Sequence, residues 1–351
     1  MNVPTTPKIL ACLAAAAVLV GGTAAAERLP SPASALTRTV SSTAEAPDRE
    51  ALSHADGVSH QAAAVTEAER RAVLDYWTID RMAAAQPISM AAVDLVEDAL
   101  QLSQRAERAE AEPQAAPHPE STGERWTAGG LVTRTTGKVF LTMDGRDFTC
   151  SASVVDSDNR STLVTAGHCA KDGRGSWAKN WAFVPGYADG ASPHGRYTAR
   201  DLLVAPQWER EADDSYDFAM AVLNTRDGRS VQGAVGAQRI AFDTWTEERV
   251  RDGVQVYTFG YPAASPFDGR DLHYCSGRTV PDTGGTTANG VGCTMTQGSS
   301  GGPWFSGFDT GTGRGTISSV VSFKYANDRS VQYGPRLGSA ARQVFEHAER
   351  L

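Results

Sequence analysis

Cysteine is scarce in this chain: five stand among 351 residues, and no two have C-x-x-C spacing. That disfavours a zinc knuckle and leaves disulfides as the better use of the sulfurs. Runs of basic residues are missing as well, and the net charge is −8, which argues against a nucleic-acid partner. Aromatic residues are few, at 8%, while there are 34 glycines, a balance that leans toward strands joined by turns. No repeat of fixed period occurs. Nor does any apolar run reach the length of a full membrane span.

The longest apolar run is Ile9–Val20, preceded by Lys8 and followed by Thr23-Ala24-Ala25-Ala26. A positive start, a short apolar core and small residues at the end form the layout of a secretory signal, here residues 1–26. A retained membrane anchor is the competing reading. Cys12 lies inside the apolar run and not at its end, which speaks against a lipid-modified cysteine. The expectation is a secreted protein with no stable membrane insertion once the signal is gone. Cys150, Cys169, Cys275 and Cys293 then remain, an even set that allows three pairings. The sequence-local one, Cys150–Cys169 and Cys275–Cys293, is expected. Each closed loop would contribute about 3 kcal/mol in the chain-entropy account.

Residues 27 to 120 are rich in Ala, Glu and Arg. Thr66-Glu67-Ala68-Glu69 has the form of a capping box. After it Ala72, Val73, Tyr76, Trp77, Ile79, Ala83 and Ala84 recur at helical spacing, until Pro87 interrupts. A second helical stretch is expected near Met90–Glu110, and Glu112–Pro119 reads as a Pro-rich linker. From about Trp126 the texture changes to short β-branched and aromatic runs: 138–142, 149–155, 161–165, 181–184, 218–223, 254–259 and 316–323. Gly, Asp, Asn and Pro separate them, which predicts an all-β sandwich or barrel. The end, Ser339–Leu351, reads as a helix with Ala340, Val344, Phe345 and Ala348 on one face.

Three stretches carry chemistry. In Thr165-Ala-Gly-His-Cys169, His168 follows a strand-like run with small neighbours around its ring. In Tyr216-Asp-Phe-Ala219, Asp217 precedes a strongly apolar run, and a carboxylate buried there needs a donor such as an imidazole N–H. In Gly298-Ser-Ser-Gly-Gly-Pro303, glycines permit unusual backbone angles and close approach of a substrate. The N–H groups of Gly298 and Ser300 are suited to one oxyanion. Taken singly, each stretch also reads as a structural turn, but Pro303-Trp304-Phe305 argues against a loose Gly/Ser linker. Nucleophilic serine catalysis needs a base and a group that orients the base. His168, Asp217 and Ser300 provide all three in the order His, Asp, Ser.

T-A-G-H-C, Y-D-F-A and G-S-S-G-G-P resemble the three active-site motifs of chymotrypsin-like serine proteases, in a style similar to bacterial secreted glutamyl endopeptidases. The likeness spans roughly residues 126–351. It implies a protease domain over 121–351, built of two six-stranded antiparallel β-barrels with a C-terminal helix and the triad in the cleft between the barrels. By the same likeness His168 is the general base, Asp217 orients it, and Ser300 attacks the scissile carbonyl. Gly298 and Ser300 hold the oxyanion, and Cys150–Cys169 lies beneath the histidine. Protein or peptide substrates, a monomer and no cofactor or metal are expected.

Two departures bear on activation and specificity. Where digestive members carry an aspartate that pairs with a new N-terminus, this chain has Ser299, so that ion pair is not available. Residues 27–120 are expected to form a pro-segment, cut off so that the mature chain begins between about Pro113 and Leu131. The competing reading is a helical module that stays attached. Thr294 stands where Arg/Lys-specific members carry an aspartate, which disfavours a basic preference. Thr294, Ser322, Phe323 and Lys324 are expected to line the pocket. Lys324 offers an ammonium to an acidic side chain, with a solvated surface lysine as the alternative, and nothing in the sequence places His194 or His273 there. A catalytically silent binding domain and an esterase on the same scaffold are the competing functions.

Overall fold

The computed structural model of the chain describes residues 57–88 and 120–351. The signal region 1–26, the stretch Met90–Glu110 and the linker Glu112–Pro119 lie outside those residues.

The capping box forms. Thr66 Oγ1 accepts the Glu69 N–H, and the Glu69 carboxylate accepts the Thr66 N–H at 2.7 Å, opening α1 (Glu67–Tyr76). The periodic run up to Ala84 is not one helix. The chain leaves helical geometry at Trp77, and Thr78 caps a second start, α2 (Ile79–Ala84), by accepting the Arg81 N–H. Trp77 is the reason to break there: its ring is 1% exposed and packs on Phe140, with centroids 5.5 Å apart. Two strands flank the pair, β1 (Ser59–Ala62) and β2 (Gln86–Pro87).

β3 (Ser121–Arg125) follows, then the first barrel: β4 (Thr136–Met143), β5 (Arg146–Val154), β6 (Thr162–Thr165), β7 (Lys179–Pro185), β8 (Tyr197–Val204) and β9 (Ala219–Leu223). These six close in the order β4-β5-β6-β9-β8-β7 and back to β4, antiparallel at every step. β4 is buried at all eight positions because both of its faces are covered. Val139 and Leu141 point to the barrel core with Cys150, Leu163 and Leu202. Phe140 belongs instead to the cluster that holds Trp77. Residues 57–88 extend this sheet: β1 pairs antiparallel with β8, and β2 pairs in parallel with β5 at Phe148 and Thr149.

The second half contributes β10 (Arg239–Ile240), β11 (Gln255–Gly260), β12 (His273–Arg278), β13 (Val280–Pro281), β14 (Asn289–Gly292), β15 (Pro303–Asp309), β16 (Arg314–Val320), β17 (Phe323–Tyr325) and β18 (Asp328–Gly334). They form a six-stranded sheet, β10-β16-β15-β11-β12-β3, and a four-stranded one, β13-β14-β18-β17. Cys275–Cys293 ties the two together. Between them lies a second core of Trp304, Met295, Val256, Val291 and both sulfurs. The C-terminal helix, Ser339–Ala348, returns to pack Val344, Phe345 and Ala348 toward β8 and β9 of the first barrel. No helix among the described residues is long and apolar enough to cross a membrane.

Candidate active site

His168 sits in a single tight turn, Gly167–Cys169, directly after β6. The turn closes only around a glycine: a Cβ on Gly167 would stand 2.9 Å from Asp217 Oδ1 and 3.0 Å from the Trp208 ring. The disulfide Cys150–Cys169 fixes the turn to β5. Asp217 precedes β9, which pairs with β6, so the two strands bring the histidine and the aspartate to one end of the barrel.

Asp217 is fully buried, and three donors converge on it. Oδ1 accepts the His168 backbone N–H at 2.8 Å. Oδ2 accepts His168 Nδ1–H at 2.8 Å and the Ser322 hydroxyl at 2.5 Å. A carboxylate on Nδ1 keeps that nitrogen protonated, which leaves Nε2 of the neutral ring as the basic one. His168 Nε2 is buried and has no hydrogen-bond partner among the described residues. Ser322 was expected as pocket wall. It does line the cavity, but its hydroxyl is turned to Asp217, a role the sequence did not signal.

The second half brings Ser300 to this end. The Ser300 carbonyl accepts the Ser151 N–H at 2.7 Å and stands 3.7 Å from Cys169 Sγ, so the serine lies against β5 and the turn that carries the histidine. Gly298 has φ +94°, and a Cβ there would meet the Tyr261 carbonyl at 2.7 Å. Its own carbonyl is held by Ser151 Oγ at 2.9 Å, and the same hydroxyl accepts the Tyr261 N–H. Pinned this way, the Gly298 and Ser300 N–H groups donate to no acceptor among the described residues. Ser299 is buried, and its hydroxyl donates to the Thr296 carbonyl at 2.7 Å. The loop is thus braced by neutral hydrogen bonds, with no ion pair at Ser299.

A cavity of about 120 Å³ opens beside Ser300, lined among others by Thr294, Thr296, Phe323, Lys324, Arg329 and Gln332. No carboxylate among the described residues lines it. Thr294 Oγ1 donates to the carbonyl of Thr122 on β3, so this wall is braced from outside and presents no free hydroxyl. Phe323 stacks on Tyr333 at 5.1 Å. Lys324 is not a solvated surface lysine: Nζ donates to the Cys293 carbonyl at 2.5 Å and the Arg329 carbonyl at 2.8 Å. Burial brings its pKa down to about 8. His273 and His194 do not line the cavity. His273 Nδ1 bonds to the Gly123 carbonyl, and burial lowers the pKa of both histidines. Asp214, three residues before Asp217, has its pKa raised to about 6 by burial first and by the Asp217 charge next.

The only group of potential metal ligands found among the described residues is Cys150, His168 and Cys169, and its two sulfurs are joined in the disulfide.

The sequence pattern of the trypsin family matches residues 128–334. Among solved structures, the chain is similar to the protease Anisep of Arthrobacter nicotinovorans, with 38% identity and TM-score 0.58 over 62% of this chain and 96% of that one. It is similar to the thermostable serine protease AL20 of an extremophilic microorganism at 41% identity and TM-score 0.58, covering 63% and 99%. A Glu endopeptidase shares the fold at 18% identity and TM-score 0.52, covering 66% and 98%. An extracellular metalloprotease of Bacillus subtilis (strain 168) is 32% identical over 73 residues, 21% of this chain and 23% of that protein. The chain therefore spans about a quarter of the length of that curated relative. With more than half its length matched and the architecture in agreement, the chain belongs to the trypsin family of serine endopeptidases.

Proposed function

We propose that this protein is a secreted endopeptidase that cuts peptide bonds through Ser300, His168 and Asp217. The observation that carries the reading is Asp217, buried and committed to the His168 ring, at the barrel end where Ser300 is fastened to Ser151. His168 Nε2 takes the proton of Ser300 Oγ as Oγ bonds to the scissile carbonyl carbon. The negative oxygen that develops is received by the N–H groups of Gly298 and Ser300. As the C–N bond breaks, Nε2 returns the proton to the leaving amine. Water, deprotonated in its turn by Nε2, then bonds to the acyl carbon, and Nε2 returns that proton to Ser300 Oγ as the C–Oγ bond breaks. Asp217 holds the ring in position and offsets the imidazolium charge.

The cavity beside Ser300 receives the side chain that precedes the cut. With Lys324 and Arg329 on its wall and no carboxylate, it repels Lys and Arg and favours an acidic side chain. Residues 1–26 act as the export signal, and an oxidising compartment suits the two disulfides. The pro-segment is severed by a cut before Ser121, because β3 pairs with β12 and Thr122 braces Thr294. A start as late as Leu131 would remove that strand.

Cleavage-site profiling on a peptide library, together with N-terminal sequencing of the same secreted sample, tests the reading. Cuts after Glu or Asp and a mature start between 89 and 121 are expected. Cuts after Lys or Arg would overturn the specificity, and a start at residue 27 would overturn removal of the segment.

A further inference from the structure

The segment Gly57–Ile88 is anchored like part of the domain. Val58 is 2% exposed and Trp77 1%. The Trp77 indole donates to the Asn180 carbonyl, and Arg196 Nη1 donates to the Trp77 carbonyl at 2.6 Å. Arg81 Nε and the Tyr76 hydroxyl both meet the Asp147 carboxylate at 2.7 Å. Asn224 Nδ2 donates to the Ala64 carbonyl, and Ser59 Oγ donates to Glu209. After these anchors the chain runs along the edge of β5. Gln86 and Pro87 pair with Phe148 and Thr149, and the Ile88 N–H donates to the Thr149 carbonyl at 3.2 Å. Ile88 is buried, and it lines the same cavity as Ser300.

That edge leads directly to the reacting serine. Thr149 is followed by Cys150 and then Ser151, whose N–H holds the Ser300 carbonyl. A peptide laid across Ser300 and paired with this edge would need the place that Gln86–Ile88 fills. We propose that Gly57–Ile88 is the resident partner of this surface: it stays docked after the chain is cut between 89 and 119, and Ile88 keeps Ser300 out of reach until the segment leaves. The inference rests on the reading of Ser300 as the nucleophile. Its physical content is a closed fraction that outweighs the open one, which divides the apparent reactivity of Ser300 by the same factor. Cutting the connection ends the effective concentration that the tether supplies, and the buried anchors, which the cut leaves unchanged, are what hold the segment in place.

The test uses the full chain carrying a recognition sequence for a site-specific protease between 89 and 119. It is cut, then examined by gel filtration and by the rate of Ser300 labelling with a fluorophosphonate probe. The wild-type fragments are expected to elute together and to label slowly. Ile88→Asp is expected to keep the fragments together yet label about tenfold faster or more, because only the cleft contact is weakened. Trp77→Ala is expected to release the segment and also label faster. Separate elution of the wild-type fragments overturns the inference, as does rapid labelling that is equal in wild type and Ile88→Asp. If no form labels, Ile88→Asp included, the inference falls together with the assignment of Ser300, so the two failures are distinguishable.

Discussion

Ser322 Oγ donates a 2.5 Å hydrogen bond to Asp217 Oδ2, the same oxygen that accepts His168 Nδ1–H. A residue of the second half thereby completes the surroundings of a carboxylate carried by the first. Replacing it removes one donor from a buried carboxyl group and leaves Ser300 in place. A bond of this kind is worth about 1.5–3 kcal/mol. Ser322→Ala is therefore expected to lower kcat on the order of 10-fold or more, with KM much less affected. Steady-state kinetics on one peptide substrate check it, and an unchanged kcat would remove Ser322 from the positioning of the pair.

Ser151 is the brace on the other side. Its hydroxyl holds the Gly298 carbonyl and the Tyr261 N–H, each at 2.9 Å, and so fixes the loop that carries the two N–H groups proposed as oxyanion donors. Ser151→Ala is expected to cut kcat on the order of 10- to 100-fold, less than the loss of a donor itself would cost. Affinity for a tetrahedral transition-state analogue should fall by a similar factor, while binding of a product peptide changes little. Equal losses in both would point to general damage to the fold.

Asp214 gives a signed prediction in pH. Its carboxyl has a folded pKa of about 6 against an ordinary 3.8, so the folded state binds the proton more tightly than the unfolded one. The cost of ionising it is absent below the ordinary value, grows between the two values and is complete above about 6. Asp214→Asn should therefore raise the melting temperature at pH 7 to 8 and leave it nearly unchanged near pH 3.5. A gain confined to acid would contradict the assigned burial.

Lys324 separates structure from specificity. Nζ spends donors on the Cys293 and Arg329 carbonyls, and the charged form is already disfavoured by burial. Lys324→Met removes a positive charge from the cavity wall and leaves two carbonyls without that donor. The ratio of kcat/KM for Glu over Gln substrates is expected to drop about 10-fold, and the melting temperature should fall as well. A lower melting temperature with the ratio intact would make Lys324 purely a brace.

The parts of the site that were legible in sequence are those whose chemistry is local. T-A-G-H-C exposes its need for a small residue before the histidine, and the spacing from Gly298 to Ser300 lies within one loop. The strands of the first barrel were also readable, because 138–142, 149–155 and 218–223 are short runs rich in β-branched and other apolar residues, and all three are buried. Ser322, Ser151 and Thr122 were not readable in their actual roles. Each acts through a hydrogen bond to a residue more than a hundred positions away, Ser322 and Ser151 by their hydroxyls to Asp217 and Gly298 and Thr122 by its backbone carbonyl to Thr294, and one such group leaves no pattern. Strands β12, β14 and β18 escaped for a related reason. H-Y-C-S-G-R, N-G-V-G and D-R-S-V-Q-Y-G are polar or Gly-bearing, and they are held as strands by partners and by the Cys275–Cys293 bridge, not by local propensity. The helix break at Trp77 likewise depends on Phe140, far along the chain.

The central claim is that Ser300 is the nucleophile and its neighbour Ser299 is not. The most direct measurement is mass-spectrometric mapping of the fluorophosphonate adduct on the processed protein, repeated with Ser300→Ala and Ser299→Ala. The adduct is expected on Ser300, absent from Ser300→Ala and retained in Ser299→Ala. An adduct on Ser299, or labelling that survives Ser300→Ala, would contradict the account.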